Sequence, residues 1–80
     1  MNEQPEQELT FGQRAAGVSF NPSGNPVVAG IKDDVAALID DLNDLRNETD
    51  DPEVKRMYSV AITELQTAQM WAVKAATWGS

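Results

Sequence analysis

Residues 52–78 read PEVKRMYSVAITELQTAQMWAVKAATW, and this stretch decides the fold of the chain. Proline stands only at its first position and glycine is absent, so the stretch carries no internal helix breaker. Apolar residues recur at steps of three and four, which predicts one helical stripe: Val54, Tyr58, Ala61, Leu65, Ala68, Ala72 and Ala75. Further apolar residues fall off this stripe: Met57, Val60, Ile62, Met70, Trp71, Val73 and Trp78. Because a chain of 80 residues has little else to cover two apolar faces, we expect this helix to be shared with other copies.

A second helix is predicted before it, over about 26–47. Asn25-Pro26 is typical of an N-cap followed by proline at the first helical position, and Asp51-Pro52 repeats this arrangement. The apolar stripe of this helix is also spaced by three and four: Val28, Ile31, Val35, Leu38, Leu42 and Leu45. Ala36 and Ile39 widen this stripe. A connection as short as NETD makes the two helices antiparallel neighbours. The predicted fold is therefore all-α, an antiparallel helical hairpin (about 26–47 and 52–78) assembled as a homo-oligomer.

The N-terminal region is predicted to contribute less to the fold. A short helix is expected from Gln7 to Ala16, interrupted by Gly12 and stopped by Gly17. The segment SFNPSGN, residues 19–25, is rich in turn signals and is predicted to be a loop. The chain is thus expected to form one domain, 1–80, in three parts: 1–8 disordered, 9–25 a short helix and loop, and 26–78 the hairpin.

Charge and composition exclude several classes of function. Thirteen acidic and six basic residues give a net charge of −7, which disfavours binding to DNA, RNA or anionic membranes. The chain has no Cys and no His, and the pairs Asp33-Asp34 and Asp40-Asp41 lack a glycine-containing ligand loop, so we predict no metal site. No apolar run approaches the roughly 20 residues of a membrane span, and the acidic N-terminus is unlike a signal peptide. We expect a soluble protein that acts inside a cell.

No catalytic pattern is present in the sequence. It lacks a histidine base, a cysteine nucleophile, a GxSxG elbow and a Walker-type loop. The paired carboxylates lie on a predicted solvated helix face, where nothing would separate their pKa values. We therefore predict a protein that is not an enzyme and needs no cofactor.

One segment suits a small anionic ligand. The loop from Phe20 to Asn25 runs into a helix N-terminus, where free backbone N–H groups and the helix dipole favour phosphate. Lys32 could reach back toward that end, Phe20 could stack on a base, and Asn21 and Ser23 could supply hydrogen bonds. The same loop also fits a plain turn that caps a helix, and both interpretations stay open. Gly30 lies early in the helix. It either lets another group approach the helix backbone closely or is a destabilising residue that is tolerated near a helix end.

Two further features leave alternatives open. Lys55 and Arg56 occupy the first turn of the last helix, where the dipole disfavours cations, which suggests a partner. That partner is either a set of acidic residues on another subunit or a ligand phosphate. Trp71 and Trp78 are either packing anchors or a platform on which bases stack.

The order of these motifs is similar to that of a known family. FNPSGNP at 20–26, GIK at 30–32 and LNDLR at 42–46 are followed by SVAIT at 59–63 and MWA at 70–72. Over roughly residues 17–78 the chain resembles the phage anti-CBASS cyclic-oligonucleotide sponges, whose C-terminal hairpin is shared with one class of Thoeris anti-defence sponge. The part that carries the resemblance best is SVAIT with MWA.

The resemblance implies a compact homohexamer that sequesters cyclic nucleotides without cleaving them. Cyclic dinucleotides would bind between paired subunits, and cyclic trinucleotides at separate sites near the threefold axis. The family's base-stacking aromatic and phosphate-holding lysine fall on Phe20 and Lys32, although relatives often carry Tyr and sometimes His in this loop, where the present chain has Phe20 followed by Asn21-Pro22. A family arginine falls near Tyr58, with Arg56 half a turn away. The candidate ligand-binding residues are Phe20, Asn21, Pro22, Ser23, Gly30, Lys32, Arg56 and Tyr58.

The resemblance thus implies a phage-encoded immune-evasion protein. Such a sponge would bind cyclic di- or trinucleotide second messengers in the cytoplasm of an infected bacterial host and so block activation of CBASS effectors. The alternative is a helical homo-oligomeric adaptor whose second apolar face docks a protein partner; a third is a ligand-free regulator of a host enzyme. Lys32 lies off the apolar stripe of its helix, so we expect it to be exposed and replaceable without loss of stability.

Overall fold

Three α-helices form the part of the chain that the computed structural model describes, residues 8–79: α1 (Phe11–Ala16), α2 (Pro26–Glu48) and α3 (Pro52–Ala76). No strand occurs among these residues, and the predicted all-α hairpin is confirmed. Of the segment predicted to be disordered, 1–8, all but Glu8 lies outside the described residues.

The helix starts of the hairpin follow from their N-caps. The Asn25 side chain accepts hydrogen bonds from the N–H groups of Val27 and Val28, and the Asp51 side chain caps α3 in the same way. α3 ends at Ala76, two residues before the predicted end. There the Trp78 N–H donates to the Ala75 carbonyl at 3.3 Å, a tighter turn than the α-helical one, and Gly79 follows in a left-handed conformation with φ of 80°.

α1 differs from its prediction at its start and at Gly12. It begins at Phe11 rather than at Gln7, because Thr10 and Gln13 form a reciprocal capping box. It ends as predicted at Gly17, which takes a left-handed conformation with φ of 70°. Gly12 does not interrupt the helix; it is buried, and a Cβ there would lie 2.1 Å from the Ala36 carbonyl oxygen. Its lack of a side chain lets α1 touch the backbone of α2.

This close approach changes which face of α2 is buried. Of the six residues spaced by three and four only Val28 is buried, whereas Leu38 and Leu45 are 45% and 43% exposed; Ala36 and Ile39, which widen the predicted stripe, are buried. Because α1 packs on α2 beside Ala36, the buried row of α2 runs through Lys32, Ala36 and Ile39. Leu38 and Leu45 lie on the neighbouring row and stay exposed. Among the described residues, the buried ones are Gly12, Ala16, Val28, Lys32, Ala36, Ile39, Ile62 and Gln69. On α3 the buried apolar residue is Ile62, which the sequence analysis placed off the stripe.

The described chain is flat. It measures 44 × 36 × 13 Å, and its radius of gyration of 14.2 Å exceeds the value of about 12 Å expected for a compact domain of this length. The large apolar side chains that remain exposed are Phe11, Phe20, Val27, Leu38, Leu45, Met57, Val60, Met70, Trp71 and Trp78. None of the described helices is both long enough and apolar enough to span a bilayer.

Candidate functional site

The loop between α1 and α2, residues 17–25, consists of two consecutive turns. The Phe20 N–H donates to the Gly17 carbonyl at 3.0 Å, and the Gly24 N–H donates to the Asn21 carbonyl at 2.9 Å. Pro22 stands at the second position of the latter turn and Gly24 has a φ of 63°, both of which suit this geometry. The first turn presents Phe20, and the second leads into α2.

The Asn21 side chain closes the second turn. Its Nδ2 donates to the Asn25 carbonyl at 2.9 Å, and its Oδ1 accepts from the Asn25 N–H at 3.2 Å. Both polar atoms of the amide are therefore used within the loop. As the structure stands, Asn21 shapes the loop, and its role as a ligand contact stays a prediction.

The N-terminus of α2 offers no free amide in its first turn. Pro26 has no N–H, Val27 and Val28 donate to Oδ1 of Asn25 at 2.8 and 3.3 Å, and Ala29 donates to the Asn25 carbonyl. The expectation that free N–H groups here would hold a phosphate is wrong, because the N-cap already satisfies them.

Lys32 departs most clearly from its prediction. The expected exposed, replaceable residue is buried, with 7% of its surface accessible. It does reach back toward the loop as predicted: its Nζ donates to the Gly17 carbonyl at 3.1 Å and also to the Phe20 carbonyl. The same Nζ lies 5.3 Å from the centroid of the Phe20 ring, within the range of a cation–π interaction.

The rest of the predicted loop site is open to solvent. Phe20 is 71% exposed, so one of the larger aromatic surfaces of the chain faces outward above a buried ammonium. Pro22 and Ser23 are exposed beside it. Gly30 is also exposed, and a Cβ built on it would meet no atom of residues 8–79 within 4 Å, so no described residue packs against the space that its missing side chain leaves. The surface at Gly30 therefore has room for a ligand or another copy, and its role as a ligand contact stays a prediction.

Arg56 and Tyr58 lie away from this loop. Tyr58 lines an apolar groove at the other end of the hairpin together with Leu42, Val54, Met57 and Ala61. Leu42 is ten residues, or about 15 Å, along α2 from Lys32. A single chain therefore separates the eight candidates into two groups, one around Phe20 and Lys32 and the other around Arg56 and Tyr58.

The cations in the first turn of α3 find partners within the chain. The Lys55 Nζ donates to the Arg46 carbonyl at 2.9 Å, in the last turn of antiparallel α2, where the dipole favours a cation. Arg56 forms an ion pair with Glu53 at 2.6 Å. The Arg56 guanidinium lowers the pKa of the Glu53 carboxyl, and Glu53 in turn raises the pKa of Arg56. The apparent mismatch with the dipole therefore requires neither a second subunit nor a phosphate.

A second concave surface lies near the C-terminal end of α3. Its volume is about 520 Å³, and it is lined by Trp71, Lys74, Ala75 and Trp78. The Lys74 Nζ lies 5.4 Å from the Trp71 ring and 5.9 Å from the Trp78 ring. The indoles are 65% and 77% exposed, so within one chain they do not anchor a core.

Two glutamines that the sequence analysis did not single out fix the position of the loop. The Nε2 atoms of Gln66 and Gln69 donate to the carbonyls of Ala15 and Ala16, at 3.0 and 2.7 Å, at the C-terminal end of α1. These bonds tie α1 to α3 immediately before the loop begins. The available signal was their spacing, since they lie in one helical row with the apolar residues Ile62 and Val73. Among residues 8–79 no cluster of three or more acidic side chains is placed to hold a metal ion.

Comparison with known proteins gives one match. The model of the Acb2/Tad1 hairpin domain matches residues 13–77, which include the loop, both long helices and all eight candidate residues. No curated protein and no solved structure matches the chain significantly.

Proposed function

The chain belongs to the Acb2/Tad1 hairpin family of anti-CBASS and anti-Thoeris sponges, and from this premise we propose that it sequesters cyclic di- and trinucleotide second messengers. In this proposal it is a phage protein that acts in the cytoplasm of an infected bacterium and keeps the signal from CBASS effectors. The observation that carries the proposal is the pairing of the exposed Phe20 ring with the buried Lys32 ammonium inside the matched hairpin.

Phe20 and Lys32 supply two of the contacts that a cyclic dinucleotide needs. A base stacks on the outer face of the Phe20 ring, an interaction that contributes roughly 1–3 kcal/mol per base. An ammonium has three N–H groups, and Lys32 uses two on carbonyls, which leaves one for a phosphate oxygen. The exposed Ser23 hydroxyl is a further donor within the same loop. Attraction of the anion is local, because the chain as a whole carries a net charge of −7.

Sequestration places a demand on affinity. To compete with an effector the Kd has to be micromolar or lower, which corresponds to roughly −8 to −12 kcal/mol. One stacked base and one phosphate contact do not reach this value on an open surface. The proposal therefore includes further walls around the ligand, supplied by another copy of the chain.

Self-assembly is supported by the flat shape and the exposed apolar surface. Trp71, Trp78 and Met70 are each at least 65% exposed, which is costly for a soluble monomer and typical of surfaces that bind protein. We take a homo-oligomer, with a hexamer favoured on the family resemblance, as the functional unit. The Trp71–Trp78 concavity then serves as a packing surface rather than as a site for bases.

Cyclic trinucleotides are assigned to the second group of candidates. Arg56 lies at the surface, with its guanidinium free to exchange Glu53 for a ligand phosphate because both side chains are about 60% exposed. Tyr58 and its apolar groove lie one half-turn away. Binding here would be independent of Phe20 and Lys32, since the two groups lie at opposite ends of the hairpin.

The family consists of binding proteins rather than enzymes, and the proposed mechanism is stoichiometric burial of the ligand. A thermal-shift panel of cyclic di- and trinucleotides, with the linear dinucleotides as controls, tests it. A rise of several degrees for at least one cyclic ligand supports the sponge. A flat response to every ligand favours the alternative, a homo-oligomeric adaptor that docks a protein on its exposed apolar surface.

A further inference from the structure

We infer that Lys32 is a positioning residue that fixes Phe20 as a ready-made stacking surface, so that the two residues act on the ligand as one unit. This inference rests on the proposed function, since the ligand is taken to stack on Phe20. It goes beyond a phosphate contact, because it assigns to Lys32 an effect that passes through the aromatic ring.

The contacts of Lys32 reach both ends of one turn. Its Nζ donates to the carbonyls of Gly17 and Phe20, which are the first and last residues of the turn closed by the Phe20 N–H. The ammonium thus holds the backbone on either side of the turn, and the Phe20 ring centroid lies 5.3 Å from the same nitrogen. The Lys32 Nζ thus contacts both the backbone carbonyl and the ring of Phe20.

The electrostatics of this contact are unusual. A buried charge is costly unless it is paired, and the ion pair found among residues 8–79, Arg56 with Glu53, does not involve Lys32. The ammonium is satisfied by two neutral carbonyls and the ring instead. Its positive charge therefore has no carboxylate of the described residues within ion-pair distance, and it lies directly beside the exposed Phe20 ring. An anionic ligand that stacks on Phe20 would supply the missing negative charge.

The consequence is energetic coupling between the two residues. If Lys32 acted only on a phosphate, its removal would weaken binding by the same factor whether or not Phe20 were present. If Lys32 acts by holding Phe20, its removal should change the ligand affinity little in a protein that already lacks the Phe20 ring. A preformed surface also avoids the cost of ordering the loop on binding.

A double-mutant cycle tests this coupling. Lys32→Met keeps the length and apolar stem of the side chain and removes the ammonium, and it is combined with Phe20→Ala. Lys55→Met is the matched control, because Lys55 also donates to a backbone carbonyl, that of Arg46, but at the opposite end of α2. Affinity is measured by calorimetry with cyclic di-AMP, cyclic di-GMP and cyclic GMP–AMP. Amide exchange of Phe20, followed by NMR on the unliganded protein, reports the loop directly.

We expect Lys32→Met and Phe20→Ala each to lower the affinity for cyclic dinucleotide about tenfold or more. The affinity of the double variant should lie no more than about twofold below that of whichever single variant binds less tightly. Phe20 amide exchange should accelerate about tenfold or more in Lys32→Met, with exchange in α3 unchanged, while Lys55→Met leaves both affinity and Phe20 exchange as in the wild type.

Each contrary result has a distinct meaning. Losses that multiply in the double variant overturn the inference and leave the proposed sponge function intact. Unchanged Phe20 exchange in Lys32→Met also overturns it, whatever the affinities. If the wild type binds no cyclic nucleotide, the proposed function is wrong, and so is the role of Lys32 in ligand binding. The amide-exchange data then show whether Lys32 holds the loop for structural reasons alone.

Discussion

The backbone N–H of Gly12 donates to Oδ1 of Asp40 at 2.7 Å, a bond that joins the first turn of α1 to the middle of α2. Asp40 thereby caps α1 from a neighbouring helix, in addition to the local cap from Thr10. The bond requires the close approach that Gly12 permits, because a Cβ at residue 12 would collide with the Ala36 carbonyl. Since α1 leads directly into the loop of residues 17–25, this contact positions the loop as well as the helix.

Replacing Gly12 by Ala should force α1 away from α2. The added methyl group overlaps backbone atoms that cannot move aside, and overpacking of this kind costs about 1–3 kcal/mol of unfolding free energy. Urea unfolding at a fixed protein concentration measures the loss. Gly30→Ala is the matched control: Gly30 is helical, and a Cβ there meets no atom, so the same change should stabilise the chain slightly or leave it unaffected. Equal effects at the two glycines would contradict the packing described for α1.

Replacing Asp40 by Ala should destabilise the chain by about 0.5–2 kcal/mol, the usual value of a capping side chain. The loss should be accompanied by faster amide exchange at Gly12. Asp41, the next residue, is exposed, so Asp41→Ala is expected to change stability by less than about 0.5 kcal/mol. An Asp40→Ala protein as stable as Asp41→Ala would show that the cap does not form.

The two glutamines of α3 should differ in proportion to their burial. Gln69 is buried and donates to the Ala16 carbonyl, so Gln69→Leu leaves that carbonyl unpaired and should cost about 1–3 kcal/mol. Gln66 is half-buried and makes the analogous bond to Ala15, where water can replace it, so Gln66→Leu should cost about 1 kcal/mol or less. Chemical denaturation of both variants provides the comparison, and the reverse order of losses would argue against the docking of α1 on α3.

Replacing Trp71 by Ala should weaken assembly rather than the fold of a single chain. The indole is 65% exposed in the chain, so no core cavity results, but a buried aromatic anchor at an interface contributes about 2 kcal/mol or more. Sedimentation at micromolar concentration should show a shift toward smaller species with helical content retained. Phe20→Ala, an exposed aromatic outside the Trp71–Trp78 concavity, should keep the wild-type mass. A folded wild-type monomer would refute the oligomer altogether.

The ion pair at the start of α3 predicts a small dependence on pH. Arg56 lowers the pKa of Glu53 below its ordinary value of 4.5, so the folded state favours the ionised carboxylate. The stabilisation is present at neutral pH and is lost as the pH falls through the lowered pKa in the folded state. Both side chains are exposed, so the effect is slight. Glu53→Gln should slightly reduce the difference in melting temperature between neutral and acidic solution, and a larger difference in this variant would contradict the assignment.

The sequence predicted the hairpin because its signals are local. Asn25-Pro26 and Asp51-Pro52 mark helix starts that depend on neighbouring residues alone, and the stripe of α3 follows from spacing. The burial of Lys32 could not be predicted in this way. Its partners are backbone carbonyls at residues 17 and 20, which become neighbours only after Gly12 has allowed α1 to pack on α2.

The candidate site shows the same division. A loop with an aromatic residue before a helix, and a lysine two turns inside it, could be read from the sequence. The N-cap at Asn25 could also be read, and it argues against a phosphate at the helix N-terminus, because the Asn25 side chain accepts from the N–H groups of Val27 and Val28 and leaves no donor for an anion. By contrast, Lys55 appeared unpartnered until antiparallel packing brought it to the Arg46 carbonyl.

Stoichiometric capture of an intact ligand is the central claim, and one measurement tests it most directly. The purified protein is incubated with equimolar cyclic dinucleotide and filtered, then heated to release what it holds, and both fractions are analysed by chromatography and mass spectrometry. The account predicts that cyclic ligand is depleted from the filtrate and recovered unchanged from the heated protein, in fixed ratio to the subunits. Free ligand in the filtrate for every cyclic nucleotide tested, or recovery of a linear product, would contradict it.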